Sequence, residues 1–288
     1  MQKFTKISSI QEFLLTEKRK GKKIGFVPTM GFLHEGHLTL AKEARKENDI
    51  VVMSIFVNPL QFGPNEDFES YPRNPDKDSE LAESVGVDVL FLPEAEEMYS
   101  GSSVTMHVTE RTDVLCGRKR EGHFDGVVTV VSKLFNIVGP DRAYFGLKDA
   151  QQVAVIEGLV KSLNFPVEIV RVPTVREEDG LAKSSRNVYL SEEERAEAPV
   201  LYSSLKDALT LIAEGESNPE AVISHIQNRI SEETTGIVDY IEIYSFPELK
   251  EIPRVQGEVI IALAVKFQKA RLIDNIIIKK TQEEKTYV

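Results

Sequence analysis

The sequence predicts an α/β protein: a Rossmann-like domain with a parallel sheet, followed by a smaller α+β domain at the C-terminal end. Short apolar runs alternate with helix-like stretches through the first 173 residues. Residues 49–57 form a continuous apolar run, which is typical of a strand covered on both faces. Beyond residue 190 the order changes to helices followed by strands. We therefore expect two domains, residues 1–174 and 175–288.

The first domain alternates predicted strands with predicted helices, in the βαβ order of a parallel sheet. The predicted strands span residues 23–28, 49–57, 87–93, 142–146 and 167–173. The predicted helices span residues 37–47, 75–85, 126–138 and 148–164. In such sheets, ligands bind beyond the carboxyl ends of the strands, so the loops that follow the strands are the first place to look for a site.

The second domain is predicted to begin with helices and to end with a small sheet. Helices are expected at residues 191–213 and 219–233, and strands at 238–246, 259–267 and 272–278. Ser191 precedes a run of glutamates, which makes it a candidate N-cap with acids in the first helical turn. Residues 281–288 are expected to form a frayed end.

Composition and charge narrow the class of protein. The chain has 288 residues, 41% of them hydrophobic, and a net charge of −11, so it should be globular and should not bind nucleic acid or anionic membranes non-specifically. Its longest apolar runs fall short of the ~18 residues that mark a membrane span, and the N-terminal stretch lacks the apolar block of a signal peptide. With one cysteine, Cys116, no internal disulfide can form, and a cytoplasmic location is expected.

Two histidines stand where the first predicted strand gives way to a helix, in the run V-P-T-M-G-F-L-H-E-G-H. His34 and His37 are three residues apart and would share one face of a helix. If that helix begins near Gly36, its exposed N–H groups and dipole favour an anion, and Gly31 allows the backbone to come close to it. Phosphate handling is the favoured interpretation. A capped helix with two solvated histidines and a metal site remain alternatives, although the other histidines and Cys116 show no metal-ligand spacing.

Neutral amides follow the second predicted strand. Asn58 and Gln61 lie in a loop rich in proline and glycine, at residues 58–76. Turn chemistry accounts for the prolines and the glycine of this loop but gives no reason for Gln61. Gln61 is therefore a candidate binding residue.

Positive charge appears in later loops. Lys148 is predicted at a helix start, where the dipole disfavours a cation, and this conflict suggests a nearby anion. The alternatives are that Asp149 is an ordinary first-turn acid and that Gln151 and Gln152 are ordinary residues of a helix surface. Ser184 and Ser185 stand between Lys183 and Arg186, a cluster that suits polyphosphate, although composition alone favours a solvated linker. The basic turn G-R-K-R-E-G-H-F-D-G, at residues 117–126, is most simply a solvated face.

Five motifs, taken together and in order, resemble the pantothenate synthetase family. They are P-T-M-G-F-L-H-E-G-H at residues 28–37, S-I-F-V-N-P-L-Q-F at 54–62, G-H-F-D-G-V-V-T-V-V-S-K-L-F at 122–135, F-G-L-K-D-A-Q-Q at 145–152 and D-G-L-A-K-S-S-R-N at 179–187. H-x-G-H alone would be a weak signal, because it marks the wider nucleotidyltransferase superfamily. Three positions depart from the family pattern: Lys183 replaces a methionine, Leu147 a glutamate or glutamine, and Glu121 a proline.

The resemblance implies an ATP-dependent ligase that makes pantothenate, on the way to coenzyme A. The carboxylate of pantoate would attack the α-phosphate of ATP to form pantoyl adenylate and pyrophosphate, and the amine of β-alanine would then displace AMP. Magnesium would accompany the ATP, with no protein ligand assigned to it. Similar enzymes are dimers, so a homodimer is expected, with neither a nucleic acid nor a membrane as partner.

The resemblance also implies roles for individual residues. His34, His37 and Lys148 would be catalytic and would donate to phosphate oxygens, with His37 as a proton donor. The implied ATP-binding residues are Pro28, Met30, Gly31, His34, His37, Gly146, Lys148, Asp149, Val175, Lys183, Ser184, Ser185 and Arg186. The implied residues for pantoate or β-alanine are Asn58, Gln61, Tyr71, Arg120 and Gln152. The first domain would thus bind nucleotide and pantoate, and the second would carry the K-S-S-R phosphate loop, where Lys183 adds positive charge.

Three other functions remain open from the residues themselves. A nucleotidyltransferase would share the fold and the H-x-G-H motif but would form a nucleotide-containing product. A zinc hydrolase would use His34 and His37 as metal ligands. A non-catalytic nucleotide-binding subunit would bind ATP without turning it over.

Overall fold

The computed structural model describes residues 1–64, 66, 68–280 and 285–287, which fold into two compact units. The first unit comprises Met1–Thr112, Gly117–Gly146 and Val155–Val172. The second comprises Asp113–Cys116, Leu147–Ala154 and Pro173–Val288. The long segment of the second unit begins close to the predicted domain boundary, and two short segments join it from earlier in the chain. The boundary between residues 174 and 175 stays a prediction.

The first part of the chain alternates strands and helices. The strands are β1 (Gln2–Phe4), β2 (Ile24–Thr29), β3 (Ile50–Ile55), β4 (Val89–Phe91), β5 (Arg142–Gly146) and β6 (Glu168–Val172). The helices are α1 (Ile7–Arg19), α2 (Glu35–Glu47), α3 (Pro75–Ser84), α4 (Ala95–Tyr99), α5 (His123–Val138) and α6 (Ala150–Leu163). These strands join one parallel sheet in the order β1-β4-β3-β2-β5-β6. The predicted α/β architecture with a parallel sheet is confirmed.

Burial explains the sequence of β3. Val51, Val52 and Met53 are fully buried, so both faces of this strand are covered. Leu40 and Ala44 of α2 pack in the same core as Val51 and Met53. Burying an aliphatic side chain in this way contributes about 1.5–3 kcal/mol. The continuous apolar run predicted such a strand because a parallel sheet is covered by helices on both faces.

The strand order places the loops of interest at one edge of the sheet. β2 lies between β3 and β5, and all three run parallel, so their carboxyl ends point the same way. From β2 the chain continues to β3 on one side and reaches β5 on the other. Doubly wound sheets bind their ligands at such a switch point. The H-E-G-H turn follows β2 at this point.

The second unit ends in an antiparallel sheet with helices packed against it. Its elements are α7 (Glu192–Glu197), α8 (Val200–Ala213), α9 (Pro219–Glu233), β7 (Ile237–Ser245), β8 (Gly257–Lys266), β9 (Arg271–Lys280) and β10 (Lys285–Tyr287). The strand order is β10-β9-β8-β7. Leu205 of α8, Ile226 and Ile230 of α9 and Leu263 of β8 are fully buried in one core. The predicted smaller α+β architecture is confirmed.

The predicted helix over residues 191–213 is wrong in one respect. It is two helices, α7 and α8, because Pro199 lacks the backbone N–H that a continuous helix would need there. The predicted N-cap at its start is confirmed, since Oγ of Ser191 accepts a hydrogen bond from the N–H of Glu194 at 3.1 Å. The carboxylate of Glu194 accepts in return from the N–H of Ser191 at 2.9 Å.

Short elements and the chain end account for the other differences. β1, α1 and α4 have no counterpart among the predicted elements. Of the predicted frayed end, residues 285–287 form β10 against β9, and residues 281–284 and 288 lie outside the described part of the chain. Across the described ranges, no helix combines the length and the hydropathy needed to cross a bilayer.

Candidate active site

The turn between β2 and α2 has a backbone that few residues can adopt. Gly31 has a φ of 85°, and a Cβ placed there would lie 2.8 Å from Cγ2 of Ile55 and 3.0 Å from Oδ2 of Asp78. Phe32 also lies in the left-handed region, with a φ of 51°. Glycine is therefore required at residue 31 both for its conformation and for the space around it.

A buried carboxylate holds this turn in place. Asp78, from the first turn of α3, accepts hydrogen bonds from the N–H of Phe32 at 2.9 Å and the N–H of Leu33 at 2.7 Å. Hydrogen bonds to an ionised carboxylate are stronger than those between neutral groups, so the backbone leading to His34 is firmly placed. Sequence reasoning missed Asp78, because it looks like any acid in the first turn of a helix.

His34 and His37 cap α2 reciprocally. Nδ1 of His34 accepts a hydrogen bond from the N–H of Gly36 at 3.1 Å, and Nδ1 of His37 accepts from the N–H of His34 at 3.3 Å. The ring centroids lie 4.1 Å apart, with 36° between the planes. A neutral imidazole whose Nδ1 accepts a hydrogen bond carries its proton on Nε2. The hydrogen-bond pattern therefore assigns an Nε2–H donor to each ring.

The cap and the phosphate interpretations of the histidines are compatible. Capping uses one ring nitrogen, and the other is a donor at the N-terminus of a helix, where the dipole favours an anion. Gly36 makes room for this arrangement, because a Cβ there would lie 2.9 Å from Cε1 of His34. The predicted position thus carries donors suited to phosphate oxygens.

Asn58 lies fully buried behind Gln61, at the carboxyl end of β3. Its Nδ2 donates to Oε1 of Gln61 at 3.1 Å and to the carbonyl of Gly126 at 3.0 Å. Its Oδ1 accepts from the N–H of Leu60 at 3.2 Å and from the hydroxyl of Tyr99 at 2.7 Å. Both N–H donors and both oxygen lone pairs of Asn58 are thus engaged by the protein. Direct contact between Asn58 and substrate stays a prediction, and Tyr99 is a member of this group that sequence reasoning missed.

Gly126 allows α5 to approach this group closely. A Cβ at Gly126 would lie 2.8 Å from the backbone N of Gln61, so no larger residue fits beside the short 3₁₀ helix Pro59–Gln61. This contact gives a physical reason for the second glycine in the G-H-F-D-G motif. It also ties the position of Gln61 to α5.

Arg120 is held by an acid and a histidine. Its Nε and Nη2 donate to the two carboxylate oxygens of Glu66 at 2.7 Å and 2.6 Å, and this pair lowers the pKa of Glu66. Its Nη1 lies 3.0 Å from Nε2 of His123, which must accept because a guanidinium only donates. Nδ1–H of His123 then donates to the carbonyl of Gln61 at 2.8 Å. The solvated face predicted for this basic turn is therefore wrong at Arg120, which is partly buried and paired, and its role toward substrate stays a prediction.

Tyr71 packs in the same loop. Its ring meets that of Phe62 edge-on, with centroids 5.8 Å apart. Its carbonyl accepts from Nη1 of Arg73 at 3.1 Å. Contact of Tyr71 with substrate stays a prediction.

Lys148 belongs to a 3₁₀ helix, Leu147–Asp149, that precedes α6. Nδ2 of Asn275, in β9, donates to the carbonyls of Leu147 and Lys148 at 2.9 Å and 3.0 Å. The Lys148 ammonium lies 3.7 Å from the carboxylate of Asp149, and its side chain is 20% exposed. The backbone of Lys148 is thus fixed, with its charge near the surface of the second unit.

The two glutamines after Lys148 differ in their surroundings. Gln151 is buried and donates from Nε2 to the carbonyl of Val114 at 2.8 Å, so the alternative of an ordinary surface residue is wrong there. Gln152 is partly buried. The contact predicted between Gln152 and substrate stays a prediction.

The D-G-L-A-K-S-S-R-N run lies in a closed turn of the second unit. Arg176 and Ala182 form an isolated β-bridge, and the N–H of Lys183 donates to the carbonyl of Val175 at 2.9 Å. The ammonium of Lys183 lies 2.7 Å from the carboxylate of Glu177. The positive charge expected from Lys183 is therefore offset within the turn by Glu177.

The serines and Arg186 follow this turn in a short 3₁₀ helix, Ser185–Tyr189. Oγ of Ser184 caps it by accepting from the N–H of Arg186 at 3.2 Å. Residues 183–187 are partly buried, which differs from the solvated linker that composition favours. Their contact with phosphate stays a prediction.

The other predicted nucleotide residues lie along the sheet edge. Pro28 lies within β2, Met30 follows that strand, and Gly146 is the last residue of β5. All three are partly buried. Among the residues that the structure describes, no group of three or more His, Cys, Asp and Glu side chains is placed to hold a metal ion.

The chain matches one protein family over almost its whole length. A family model for pantoate–β-alanine ligase matches residues 2–277. Pantothenate synthetase of Bacillus subtilis (strain 168) is 60% identical over 286 residues, which cover 99% of this chain and 100% of that protein. Pantothenate synthetase of Geobacillus sp. (strain WCH70) is 60% identical over 273 residues, covering 94% of this chain and 97% of that protein.

Solved structures show the same likeness. The crystal structure of pantothenate synthetase from Thermus thermophilus superposes with a TM-score of 0.89 at 45% identity, covering 96% of this chain and 98% of that one. The pantoate–β-alanine ligase of Francisella tularensis, solved in complex with β-γ ATP and β-alanine, superposes with a TM-score of 0.77 at 36% identity, covering 96% and 97%.

The parallel sheet, the polar loops at its carboxyl edge and these likenesses define an α/β enzyme of the ligase class. The chain belongs to the pantoate–β-alanine ligase family, and its place is in pantothenate biosynthesis. A nucleotidyltransferase, a zinc hydrolase and a non-catalytic subunit are set aside by this membership.

Proposed function

We propose that the enzyme makes pantothenate in two steps and consumes ATP in the first. One carboxylate oxygen of pantoate attacks the α-phosphorus of ATP, the bond from that phosphorus to the bridging oxygen breaks, and pyrophosphate leaves. The amine of β-alanine then attacks the acyl carbon of pantoyl adenylate. The carbon–oxygen bond to AMP breaks, and the amine gives up a proton as the amide forms.

The observation that carries this proposal is the reciprocally capped histidine pair. Charge on the phosphate oxygens must be stabilised while the carboxylate attacks, and positioned donors supply most of that stabilisation. His34 and His37 donate from Nε2, and His37 acts as a proton donor. Because the cap and Asp78 hold the turn, these donors need little rearrangement when ATP arrives.

Further positive charge is proposed to come from residues later in the chain. Lys148 donates to ATP phosphate oxygens, and Ser184, Ser185 and Arg186 close over the triphosphate as a mobile loop. The other proposed ATP contacts are Pro28, Met30, Gly31, Gly146, Asp149, Val175 and Lys183. Magnesium enters with ATP as part of that substrate, bound by phosphate oxygens.

Neutral amides suit the pantoate position. Gln61 and Gln152 hold the hydroxyls and the carboxylate of pantoate, with Asn58 and Tyr71 around them. A pair of arginines would stabilise the ground-state carboxylate and blunt its attack, so amides favour rate over binding. Arg120, whose Nη2 lies 3.5 Å from the carbonyl of Gln61, is also assigned to pantoate or β-alanine in this proposal.

We also propose that the enzyme is a cytoplasmic homodimer. The dimer follows from the resemblance to the family, and the location from a composition with a single cysteine. Sedimentation of the purified protein at micromolar concentration tests the dimer. A monomer under those conditions would contradict it.

The proposed function is tested by measuring AMP release from ATP with and without each co-substrate. AMP should appear only when pantoate and β-alanine are both present, because AMP leaves in the second step. Pyrophosphate should form in equal amount. AMP release that does not depend on pantoate or on β-alanine would contradict the proposal.

A further inference from the structure

Asn58 is fully buried and bonds to the side chain of Gln61, so it determines which way the Gln61 amide faces. We propose that Tyr99 is a positioning residue for pantoate, which acts through Asn58 to hold the Gln61 amide with its N–H donors toward the substrate oxygens. The inference rests on the proposed function, in which Gln61 contacts pantoate. It adds Tyr99, a residue of α4, to the residues that position Gln61. It also defines the chemistry of the substrate group that Gln61 binds.

Two backbone groups determine the orientation of Asn58. The N–H of Leu60 can only donate, so the atom of Asn58 that meets it at 3.2 Å must be the oxygen. The carbonyl of Gly126 can only accept, so the atom that meets it at 3.0 Å must be the nitrogen. The chemistry of these two backbone groups therefore assigns the oxygen and the nitrogen of this amide.

The orientation of Asn58 in turn determines that of Gln61. The second N–H of Asn58 points to the end of the Gln61 amide at 3.1 Å, and that end must be the acceptor Oε1. Nε2, with its two N–H groups, is then the other end of the amide. Gln61 is 8% exposed, so a reversed amide would bury unpaired polar atoms. Gln61 thus presents the N–H donors of Nε2 on the side away from Asn58.

Tyr99 completes this arrangement from 41 residues away in the sequence. Its hydroxyl donates to Oδ1 of Asn58 at 2.7 Å, and burial raises the pKa of that hydroxyl, so it stays a donor. Its ring packs near that of Phe56, with centroids 6.1 Å apart. Together, the Tyr99 hydroxyl and the N–H of Leu60 satisfy both lone pairs of Oδ1 of Asn58, which is fully buried. Without the hydroxyl, one lone pair of Asn58 is unmet and the amide is held less firmly.

This orientation of Gln61 should favour substrate groups that accept hydrogen bonds. A site that donates hydrogen bonds suits carboxylate and hydroxyl oxygens. It disfavours an ammonium or amide N–H group at the same place, since two donors would then face each other. Pantoate offers only oxygens as polar atoms. An acid of similar size with an amino group in place of a hydroxyl should therefore be a poor substrate.

The test compares Tyr99→Phe with Tyr144→Phe. Tyr144 is the control because it lies in the same unit and its hydroxyl also bonds to a buried asparagine: it accepts from Nδ2 of Asn48 at 2.8 Å and donates to Glu47 at 3.0 Å. Both variants lose one hydrogen-bonded hydroxyl and should lose similar stability. The KM values for pantoate, ATP and β-alanine and the kcat are measured for wild type and both variants.

Tyr99→Phe should raise the KM for pantoate about threefold to tenfold, the loss expected from one hydrogen bond, with the KM for ATP unchanged. Tyr144→Phe should leave both values as in wild type. An unchanged pantoate KM in Tyr99→Phe, or an equal rise for pantoate and ATP, overturns the inference. If Tyr99→Phe does not fold, the isosteric Asn58→Asp carries the same test, because its second oxygen would turn the Gln61 amide around and raise the pantoate KM selectively. An unchanged pantoate KM in that variant overturns the inference too.

The wild-type enzyme separates this inference from the proposed function. If wild type releases AMP without regard to pantoate, the proposed function fails and the inference falls with it. If wild type requires pantoate but Tyr99→Phe shows no selective effect, only the inference fails.

Discussion

Each histidine of the H-E-G-H turn uses its two ring nitrogens for different purposes. Serine, asparagine and aspartate are the usual helix N-caps, and any of them could accept the hydrogen bond that His34 accepts from Gly36. Only histidine adds a second nitrogen on the far side of a rigid ring. Because Nδ1 accepts, Nε2 is the protonated nitrogen, and the same residue both starts α2 and presents a donor.

His34→Asn should separate these two roles. Asparagine can keep the cap, so the free energy of unfolding should stay within about 1 kcal/mol of wild type. Losing the Nε2–H donor should slow adenylate formation by about 10²–10³. Urea denaturation and single-turnover adenylate formation measure the two effects. A variant that keeps the wild-type rate would show that His34 is a cap and no more.

Lys148 is the positively charged residue that is proposed to donate to the phosphate oxygens of ATP. Lys148→Ala should lower the rate of adenylate formation by about 10²–10³, as expected for the loss of one charge-stabilising donor. Lys161, exposed in the last turn of α6, provides the control, and Lys161→Ala should match wild type. Wild-type single-turnover kinetics in Lys148→Ala would remove Lys148 from the mechanism.

Glu66 gives a prediction for stability against pH. The hydrogen bonds from Arg120 lower the pKa of Glu66 below its usual 4.5, so the pair stabilises the fold above that pH. This stabilisation is lost as the pH falls through the folded-state pKa, because the carboxyl then takes up a proton. Glu66→Gln should lower the free energy of unfolding by about 1 kcal/mol or less at pH 7, since the pair is partly exposed.

Denaturation at a series of pH values checks this prediction. The difference between wild type and Glu66→Gln should disappear well below pH 4.5. Glu69→Gln, an exposed acid of the same loop, is the control. A difference that is the same at every pH would show that the ion pair is not its cause.

At the residue scale, sequence reasoning identified polar residues that follow strands but missed those that hold them. His34 and His37 were noticed for their spacing where a strand gives way to a helix, and Gln61 because turn chemistry gives no reason for it. Asp78 and Tyr99 bond to partners 46 and 41 positions away, and nothing local marks them. The roles of these two residues depend on contacts between parts of the chain that are distant in sequence, and the order of the residues does not reveal such contacts.

At the scale of elements, α3 and the turn after β2 depend on each other. Asp78 sits at the start of α3, and both of its oxygens meet backbone N–H groups of the turn. Asp78→Asn would leave one of those N–H groups facing an N–H of the new amide. We expect a loss of about 1–3 kcal/mol in the free energy of unfolding and lower adenylation activity, because the histidines would shift. Unchanged stability and activity, measured by denaturation and AMP release, would contradict this dependence.

Element prediction succeeded where periodicity was long and failed where it was short. The apolar run of β3 and the helical spacing of α5 were clear signals because each side of the element meets the core. β1 and α4 are too short to show a period. The break between α7 and α8 was missed although Pro199 marks it, because the apolar spacing continues across the proline.

At the scale of the whole molecule, the order of the strands determines which motifs follow neighbouring strands. The H-E-G-H turn and the N-P-L-Q-F loop follow β2 and β3, which are neighbours in a parallel sheet, and the K-D-A-Q-Q motif follows β5 on the other side of β2. The alternation of strands and helices predicted a parallel sheet, but it did not predict the strand order, which depends on which strands pair. The order brings the carboxyl ends of β2, β3 and β5 together along one edge, although these strands are distant in sequence.

The central claim is that the enzyme activates pantoate as its adenylate. The direct test supplies pantoate labelled with ¹⁸O in its carboxylate, together with ATP and β-alanine, and determines the mass of the AMP formed. One carboxylate oxygen should pass to the phosphorus of AMP, so each AMP should carry one ¹⁸O and the pyrophosphate none. Unlabelled AMP, or ADP with labelled inorganic phosphate, would contradict the claim, since attack would then have occurred elsewhere.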